Sequence, residues 1–310
     1  MGYQSEEGLA KAYALLEEGK PAQAKQVLAD AIQYDLGNKE AAFAVWCCSF
    51  WIDFVSSLPT LDAFERGEGL VSHWKSFRTD AARRGDIVDK ALYATEKGIF
   101  SLAYKNYLAC ADDGEPQQQA ETYRKIGLCS KKLGNYSEAF NYLTEANKRA
   151  PLSAPIIAEM ADCYALCGEE KNAKLLFREA FFRNAQDIDL AFLDSELICC
   201  LIRKVQEKGL VGAALQEWIP VYGVLYGVFN AKRRLKSQEV GRLKQDIYAM
   251  ENEQRKPTSD LTTLTPKLIN MYFWLIDHYV QTEDGRERTN EILLKIKMLD
   301  RNIYSLYNAK

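Results

Sequence analysis

A 34-residue repeat of small residues is the feature that most constrains the fold of this chain. Three small residues return in the same order 34 positions further on: Gly134, Ala139 and Ala146 as Gly168, Ala173 and Ala180. A fixed period of this length is typical of helix–turn–helix arrays. The two glycines are expected to end a first helix in the left-handed conformation. Ala139 and Ala173 are expected one turn into a second helix, where only a small side chain lets two helices approach closely.

Aromatic and apolar residues fill the positions between these small residues. The first copy has Tyr123, Ile126 and Gly127, then Gly134-Asn135-Tyr136, Ala139, Ala146 and Pro151. The second copy keeps Ala161, Tyr164, Gly168, Ala173, Phe177 and Ala180, with Ala185 in the place of the proline. Together the two copies resemble the tetratricopeptide repeat. The resemblance covers residues 6–187, apart from a break after Ser56, and continues in degenerate form to residue 229.

The resemblance implies an all-α fold: a right-handed superhelical solenoid of helix pairs with a helical C-terminal extension. First helices of such repeats line a concave groove that typically binds a peptide or helix of a partner protein. Mapped onto this chain, that partner-binding groove consists of Val88, Leu92, Arg124, Leu128, Lys131, Ala158, Asp162, Phe192 and Glu196. Arg124 and Lys131, two turns apart, are expected to expose positive charges on either side of Leu128.

A clamp for a C-terminal carboxylate, as some members of the family have, is not expected here. Such a clamp needs asparagine at positions that Leu92, Leu128 and Asp162 occupy in this chain. The mixed charge and partly apolar character of the groove suit an amphipathic segment of a partner instead.

The repeat pattern predicts four parts of the chain. These are residues 5–83, a first repeat followed by a divergent helical insertion; 84–187, the core repeats; 188–230, a degenerate repeat; and 231–310, a helical cap. In the first part Gly19, Ala24 and Ala31 reproduce the spacing of the core repeats, and Pro21 is expected to begin a second helix. A strongly apolar helix follows over Lys39–Ser56, and residues 57–84 are expected to form irregular helix around Pro59.

Residues on either side of the core repeats give further expectations. Gly98, Ala103 and Cys110 have the repeat spacing, which predicts another helix pair with its turn at Gly98. After the core, we expect helices over 189–207, up to Phe229 and over 231–256. A further helix is expected to be capped by Thr265 with Pro266 at its first position. After a turn at Asp284-Gly285, one last amphipathic helix is expected to contain Ile292, Ile296, Leu299 and Ile303.

Net charge and cysteine content indicate which partner classes and which cellular compartment to expect. The net charge of −3 gives no overall bias toward nucleic acid or membrane surfaces. All eight cysteines lie in apolar helical stretches, which predicts buried thiols in a reducing, cytoplasmic setting: Cys47, Cys48, Cys110, Cys129, Cys163, Cys167, Cys199 and Cys200. The N-terminal residues lack an apolar core, so no signal peptide is expected there.

Other features of the sequence have simpler explanations than a functional site. The apolar run Leu210–Phe229 resembles a membrane span, but Gln216, Glu217 and Pro220 interrupt it, and a core helix is favoured. Cys163 and Cys167 share a helix face, but a structural zinc needs four ligands, so no metal and no cofactor are expected. Residues 231–256 carry a basic excess of four charges, which usually indicates a solvated face and not a nucleic-acid site. His73 and His278 give little basis for acid–base chemistry.

The sequence therefore favours a non-enzymatic cytoplasmic scaffold or adaptor that binds a protein or peptide partner. It predicts neither a nucleic-acid partner nor an integral membrane segment, and it leaves the oligomeric state open. Two alternatives remain: an all-α enzyme or small-ligand binder, and a component of a membrane-associated secretion, motility or transport assembly. Fold alone does not choose among these three.

The repeat register gives a first testable prediction. Ala139→Leu should lower the melting temperature, because overpacking a tight contact costs about 1–3 kcal/mol. Lys148→Leu on the same predicted helix should leave the melting temperature nearly unchanged, because a solvated position has room for the new side chain. Equal shifts in thermal unfolding from both substitutions would show that the register is misplaced.

Overall fold

The chain is all-α in the computed structural model, which describes residues 2–34, 37–280 and 285–309. Within these ranges there are fifteen α-helices, three short 3-10 turns and no strand. The helices form two compact units, which divide between Pro151 and Leu152. The four sequence-based parts stay predictions, because the division into two units tests none of their boundaries.

The first unit contains seven helices: α1 (Gly2–Glu17), α2 (Pro21–Tyr34), α3 (Lys39–Ser57), α4 (Ala63–Arg84), α5 (Asp89–Ala109), α6 (Pro116–Lys132) and α7 (Tyr136–Arg149). The second unit contains eight: α8 (Ala154–Leu166), α9 (Glu170–Asn184), α10 (Glu196–Gln206), α11 (Gly212–Leu225), α12 (Ser237–Gln254), α13 (Leu261–Tyr279), α14 (Gly285–Leu299) and α15 (Arg301–Asn308). Within each unit the helices pack mainly against the helices next to them in the chain, and α1 also packs against α5 and α11 against α13.

The two predicted turns of the core repeat are confirmed and have equivalent geometry. Gly134 ends α6 with φ of 80° and Gly168 ends α8 with φ of 82°, both in the left-handed region that favours glycine. Ala139 and Ala173, at equivalent places in α7 and α9, are fully buried. A Cβ atom at Gly127 of α6 would lie 2.7 Å from Leu143 Cγ, so α6 and α7 touch where the sequence has no side chain.

The N-terminal hairpin of α1 and α2 also follows the prediction. Gly19 has φ of 73° in the turn, and Pro21 is the first residue of α2, where its missing N–H leaves no hydrogen bond unmade. Ala24 is fully buried. The predicted packing of Ala31 and the predicted turn at Asp284 fall outside the side chains and residues that the structure describes.

The predicted turn at Gly98 is wrong, because α5 continues through it as one helix from Asp89 to Ala109. Gly98 serves a different purpose in the structure. A Cβ atom there would lie 1.8 Å from the carbonyl oxygen of Leu16, so the end of α1 rests directly on the α5 backbone. The repeat spacing at Gly98 and Ala103 marks a small-residue face of one long helix, and not a helix pair.

The predicted irregular helix over 57–84 is also wrong. A 3-10 turn over Leu58–Thr60 leads into the regular helix α4, which begins with a reciprocal capping box between Asp62 and Glu65. Large aromatic side chains fill the space between α3 and α4. They form a continuous layer of ring contacts: Trp46, Phe50, Trp51, Phe54, His73, Trp74 and Phe77.

Three expectations for the C-terminal region need correction. Residues 231–236 are not helical, and this segment is here called the basic strap; α12 begins only at Ser237. Helix α13 begins at Leu261, because the Asp260 carboxylate accepts the Thr262 N–H at 3.0 Å, so Pro266 lies inside the helix and Thr265 does not cap it. The last predicted helix is two helices, because the helical conformation is interrupted at Asp300. The Asp300 carboxylate accepts the N–H groups of Asn302 and Ile303 and so caps α15.

The close approach at Gly98 predicts a contrast between two helical glycines. Gly98→Ala should destabilise the protein by about 1–3 kcal/mol, because the new methyl group meets the Leu16 backbone. Gly241→Ala in α12 meets nothing within 4 Å and should stabilise the protein by up to about 1 kcal/mol, the usual gain of alanine over glycine in a helix. Urea unfolding of both variants measures the contrast, and a stabilising Gly98→Ala would contradict the tight contact.

Candidate functional site

The predicted groove residues of the first unit fall into accessible and buried groups. Val88 and Leu92 are half-buried at the start of α5. Leu128 and Lys131 of α6 have only 1% and 2% of their surface exposed. The expectation that Lys131 presents an exposed charge beside Leu128 is therefore wrong in this structure. Arg124 is half-buried, and its Nε donates to the Glu121 carboxylate at 2.8 Å, so its charge is already paired within α6.

The predicted groove residues of the second unit are mostly buried as well. Ala158 and Asp162 of α8 and Phe192 of a 3-10 turn lie in the interior. Glu196 at the start of α10 is exposed, and its carboxylate pairs with Arg203 Nη2 at 2.6 Å. The accessible members of the predicted site are therefore Val88, Leu92, part of Arg124 and Glu196.

Asp162 stabilises the chain segment that leads into α10. Its two carboxylate oxygens accept the backbone N–H groups of Asp194 and Ser195, each at 2.9 Å. These residues immediately precede α10, so the carboxylate lies where the positive end of that helix dipole favours negative charge. This anchor also explains why α10 begins only at Glu196, where the sequence predicted helix from residue 189.

The two histidines lie in different surroundings. The His73 ring packs between α3 and α4, with its centroid 4.3 Å from that of Phe54 and 4.7 Å from that of Phe50. Burial lowers the pKa of His73, since the apolar rings disfavour the imidazolium. Burial also lowers the pKa of His278, and the cations Lys244 and Arg234 lower it further.

The predicted apolar run Leu210–Phe229 contains a helix of 14 residues, α11, shorter than the roughly 20 residues of a membrane span. Within it Glu217 is buried and accepts a hydrogen bond from Gln186 Nε2 at 2.9 Å. Burial raises the pKa of Glu217. In the described residues one stretch, Lys39–Thr60, is long and apolar enough to cross a membrane, and 39% of its most apolar window is buried.

Cysteine exposure only partly follows the sequence-based expectation. All eight thiols are free. Cys47, Cys48, Cys110, Cys129 and Cys163 are buried, but Cys199 and Cys200 are half-buried, and the prediction for Cys167 is wrong because it is exposed just before the Gly168 turn. Over the ranges that the structure describes, no group of three or more His, Cys, Asp or Glu side chains could hold a metal ion.

The basic strap is held by ion pairs. Lys232 Nζ lies 2.7 Å from the Asp277 carboxylate, which Arg178 also contacts. Arg233 bridges Glu179 at 3.2 Å and Glu239 at 2.9 Å. Two of the basic residues that the sequence assigned to a solvated helix face therefore join the strap to its neighbours.

Beside this strap lies a recess of about 660 Å³, here called the α12–α13 groove, which the sequence did not predict. The end of α9, the basic strap, α12 and the first turns of α13 form its walls. Apolar side chains line its floor: Phe182, Leu235, Leu243, Met250, Leu264 and Met271. Charged side chains line its rim: Arg183, Glu239, Arg242, Asp246, Glu253 and Lys267.

Three rim charges of the α12–α13 groove are satisfied within the protein. Arg233 hydrogen bonds lower the pKa of Glu239 to about 2, so this carboxylate stays charged. Arg183 pairs with Glu179 at 2.6 Å, and Glu253 pairs with Lys256 at 2.6 Å. Arg242, Asp246 and Lys267 make no hydrogen bond or ion pair with the described residues, although Lys267 acts electrostatically on Glu217. The groove thus combines an apolar floor with three available charges.

A second recess, of about 620 Å³, lies in the first unit at the start of α4 and α6. Phe64 and Cys110 contribute apolar surface, and Asp62, Asp113 and Glu121 are its charged residues. The Asp62 carboxylate accepts the Glu65 N–H at 2.8 Å and Glu121 pairs with Arg124, so two of these acids already have partners.

No protein-family profile matches the chain, and no curated protein matches it significantly.

The Asp162 anchor gives a testable prediction. Asp162→Ala should destabilise the protein by about 2–5 kcal/mol, because it removes a buried charged acceptor and leaves the Asp194 and Ser195 N–H groups without it. Glu196→Ala is the matched control: its exposed ion pair should contribute about 0–1 kcal/mol. Chemical denaturation measures both, and equal small effects would mean that the anchor is dispensable.

Proposed function

We propose that this chain is a non-enzymatic helical-repeat scaffold that binds a segment of a partner protein. The observation that carries the proposal is the duplicated hairpin. Helices α6 and α7 repeat as α8 and α9 with equivalent glycine turns and equivalent buried alanines. Proteins built from repeated helix hairpins present extended binding surfaces rather than a single enclosed site. The tetratricopeptide-like superhelix and the cytoplasmic location belong to the same proposal.

Polar groups on the predicted face support a binding role over catalysis. The Asp162 carboxylate accepts two backbone N–H groups, and the Arg124 guanidinium forms an ion pair with Glu121. The half-buried His73 is packed among aromatic rings. A catalytic acid or base needs access to a substrate atom at hydrogen-bond distance, and these groups are turned to internal partners.

The accessible part of the predicted face lies at the start of α5. Ile87 is exposed there, and Val88 and Leu92 are half-buried, so three apolar side chains adjoin one helix end. We propose that this apolar patch contributes to partner binding in place of the buried Leu128 and Lys131. Val88 and Leu92 are four residues apart in the chain. A patch with this spacing can contact the apolar face of an amphipathic helix of a partner.

The Val88→Asp variant tests partner binding, because it should weaken binding without lowering the stability of the fold. Val88 is the N-cap residue of α5 and makes no side-chain capping hydrogen bond. Aspartate is a preferred N-cap residue, worth about 1 kcal/mol, so the variant should be at least as stable as the wild type. A charged carboxylate in an otherwise apolar contact must lose water on binding, so it should nevertheless reduce partner capture at least tenfold. Affinity capture from native lysate with quantitative mass spectrometry measures the loss.

Tyr93→Asp is the control for the Val88→Asp experiment. Tyr93 is exposed on α5, and five residues from Val88 it points about 140° away around the helix. This variant adds the same charge to the same helix and should capture partners as the wild type does. Equal recovery by Val88→Asp, Tyr93→Asp and wild type would rule out the α5 patch as the binding surface.

A further inference from the structure

The carboxyl group of Glu217 is buried in an apolar helix of the second unit. Only 4% of the surface of Glu217 is exposed. Its neighbours along α11 are apolar and buried, among them Leu215, Ile219 and Val221. Moving a charged carboxylate from water into such surroundings is costly unless hydrogen bonds and opposite charges replace the lost water. The groups that act on Glu217 therefore decide which of its two protonation states the fold favours.

Glu217 belongs to a set of hydrogen bonds between the start of α11 and the 3-10 turn that directly follows α9, here called the α11 clasp. Gln186 Nε2 donates to the Ala213 carbonyl at 3.0 Å and to Glu217 Oε1 at 2.9 Å. In the reverse direction, Gln216 Nε2 donates to the Gln186 carbonyl at 3.3 Å and to the Ile188 carbonyl at 2.9 Å. The α11 clasp thus joins the end of α9 to α11.

Little in the structure compensates for a charge on Glu217. Gln186 Nε2 is the hydrogen-bond donor that the described residues offer to the carboxylate. Helices α9, α10 and α13 and the turn after α9 pack against α11. Among their described residues, Lys267 of α13 is the charged side chain that acts on Glu217, and it does so without forming an ion pair. Burial accordingly raises the pKa of Glu217, although the Gln186 hydrogen bond and Lys267 lower it.

The direction of this pKa shift fixes the sign of the pH dependence. A carboxyl group whose pKa is higher in the folded than in the unfolded state stabilises the fold below its unfolded pKa, about 4.3 for glutamate. That stabilisation is lost as the pH rises through the folded pKa. Above it, a local opening that lets water reach the ionised carboxylate lowers the free energy of the charge. The α11 clasp should therefore be tight when Glu217 is protonated and looser when it is ionised.

We propose that the α11 clasp is a proton-sensitive device whose response is set from the α12–α13 groove through Lys267. Protonation of Glu217 closes the clasp, and loss of the proton weakens it. Lys267 lies on the rim of the groove and favours the ionised carboxylate. A negatively charged group of a ligand bound beside Lys267 offsets this cation and so favours proton uptake. Occupation of the groove and closure of the clasp are then coupled, and each favours the other.

Thermal unfolding of the full chain at about pH 5 and about pH 8 tests the proposal. Glu217→Gln keeps the shape of the side chain and cannot ionise. Its melting temperature should exceed that of the wild type at the higher pH, and this advantage should shrink by at least about half at the lower pH. Lys267→Met removes the cation and keeps an unbranched side chain. Its melting temperature should fall more steeply with rising pH than that of the wild type.

Glu145→Gln in α7 is the control for a lost carboxylate. Hydrogen bonds from Lys148 and Arg149 lower the pKa of Glu145, so this group is ionised at both pH values. The difference in melting temperature between Glu145→Gln and the wild type should therefore be the same at both pH values.

Hydrogen exchange at the higher pH locates the effect in the α11 clasp. Amide groups of residues 215–221 should exchange at least about threefold more slowly in Glu217→Gln than in the wild type, while those of the first unit should be unchanged. A Glu217→Gln variant with the pH dependence of the wild type overturns the proposal. A Lys267→Met variant that is no more sensitive to pH than the wild type also overturns it, and this result holds even where Glu217→Gln does not fold.

Discussion

Close backbone contact at residues without side chains is the constraint on which the helix packing depends. At Gly127 a Cβ atom would come within 2.7 Å of Leu143, and at Gly98 it would come within 1.8 Å of the Leu16 carbonyl oxygen. Such approach brings two helix axes together and lets the neighbouring side chains interdigitate. The same two glycines constrain the helix register, because a side chain at either position would collide with the neighbouring helix. Larger side chains, such as the aromatic layer between α3 and α4, keep other helices apart.

The turns are predictable from the sequence, but the role of every small residue is not. Gly134 and Gly168 were predictable as helix ends, because left-handed backbone favours glycine and the two copies reinforce each other. Gly98 shares the spacing but lies inside α5, since the same lack of a side chain also permits a helix crossing. The basic strap was missed for a related reason. Lys232 and Arg233 resemble solvated helix residues locally, but in the structure they lie outside any helix and form ion pairs with the distant residues Asp277 and Glu179.

The candidate site was less predictable than the fold because helical periodicity assigns residues to a face without showing what covers it. The helical period puts Leu128 and Lys131 on one face of α6, but both side chains are buried. Asp162 was expected to contact a partner, yet it anchors the N–H groups before α10, some thirty residues away in sequence. The α12–α13 groove carries no motif at all. Its lining comes from four separate segments, and its available charges become evident only when the internal ion pairs are assigned.

The aromatic layer between α3 and α4 has a consequence for spectroscopy. Three of the five tryptophans, Trp46, Trp51 and Trp74, lie in it, whereas Trp218 and Trp274 lie in the second unit. The Trp51 and Trp74 rings are 6.4 Å apart and stacked, close enough for their electronic transitions to couple. Near-ultraviolet circular dichroism senses fixed tertiary packing and not helix content. The close ring contacts of this layer should therefore contribute strongly to that signal, which gives the first unit an intrinsic optical label distinct from the helical signal of the whole chain.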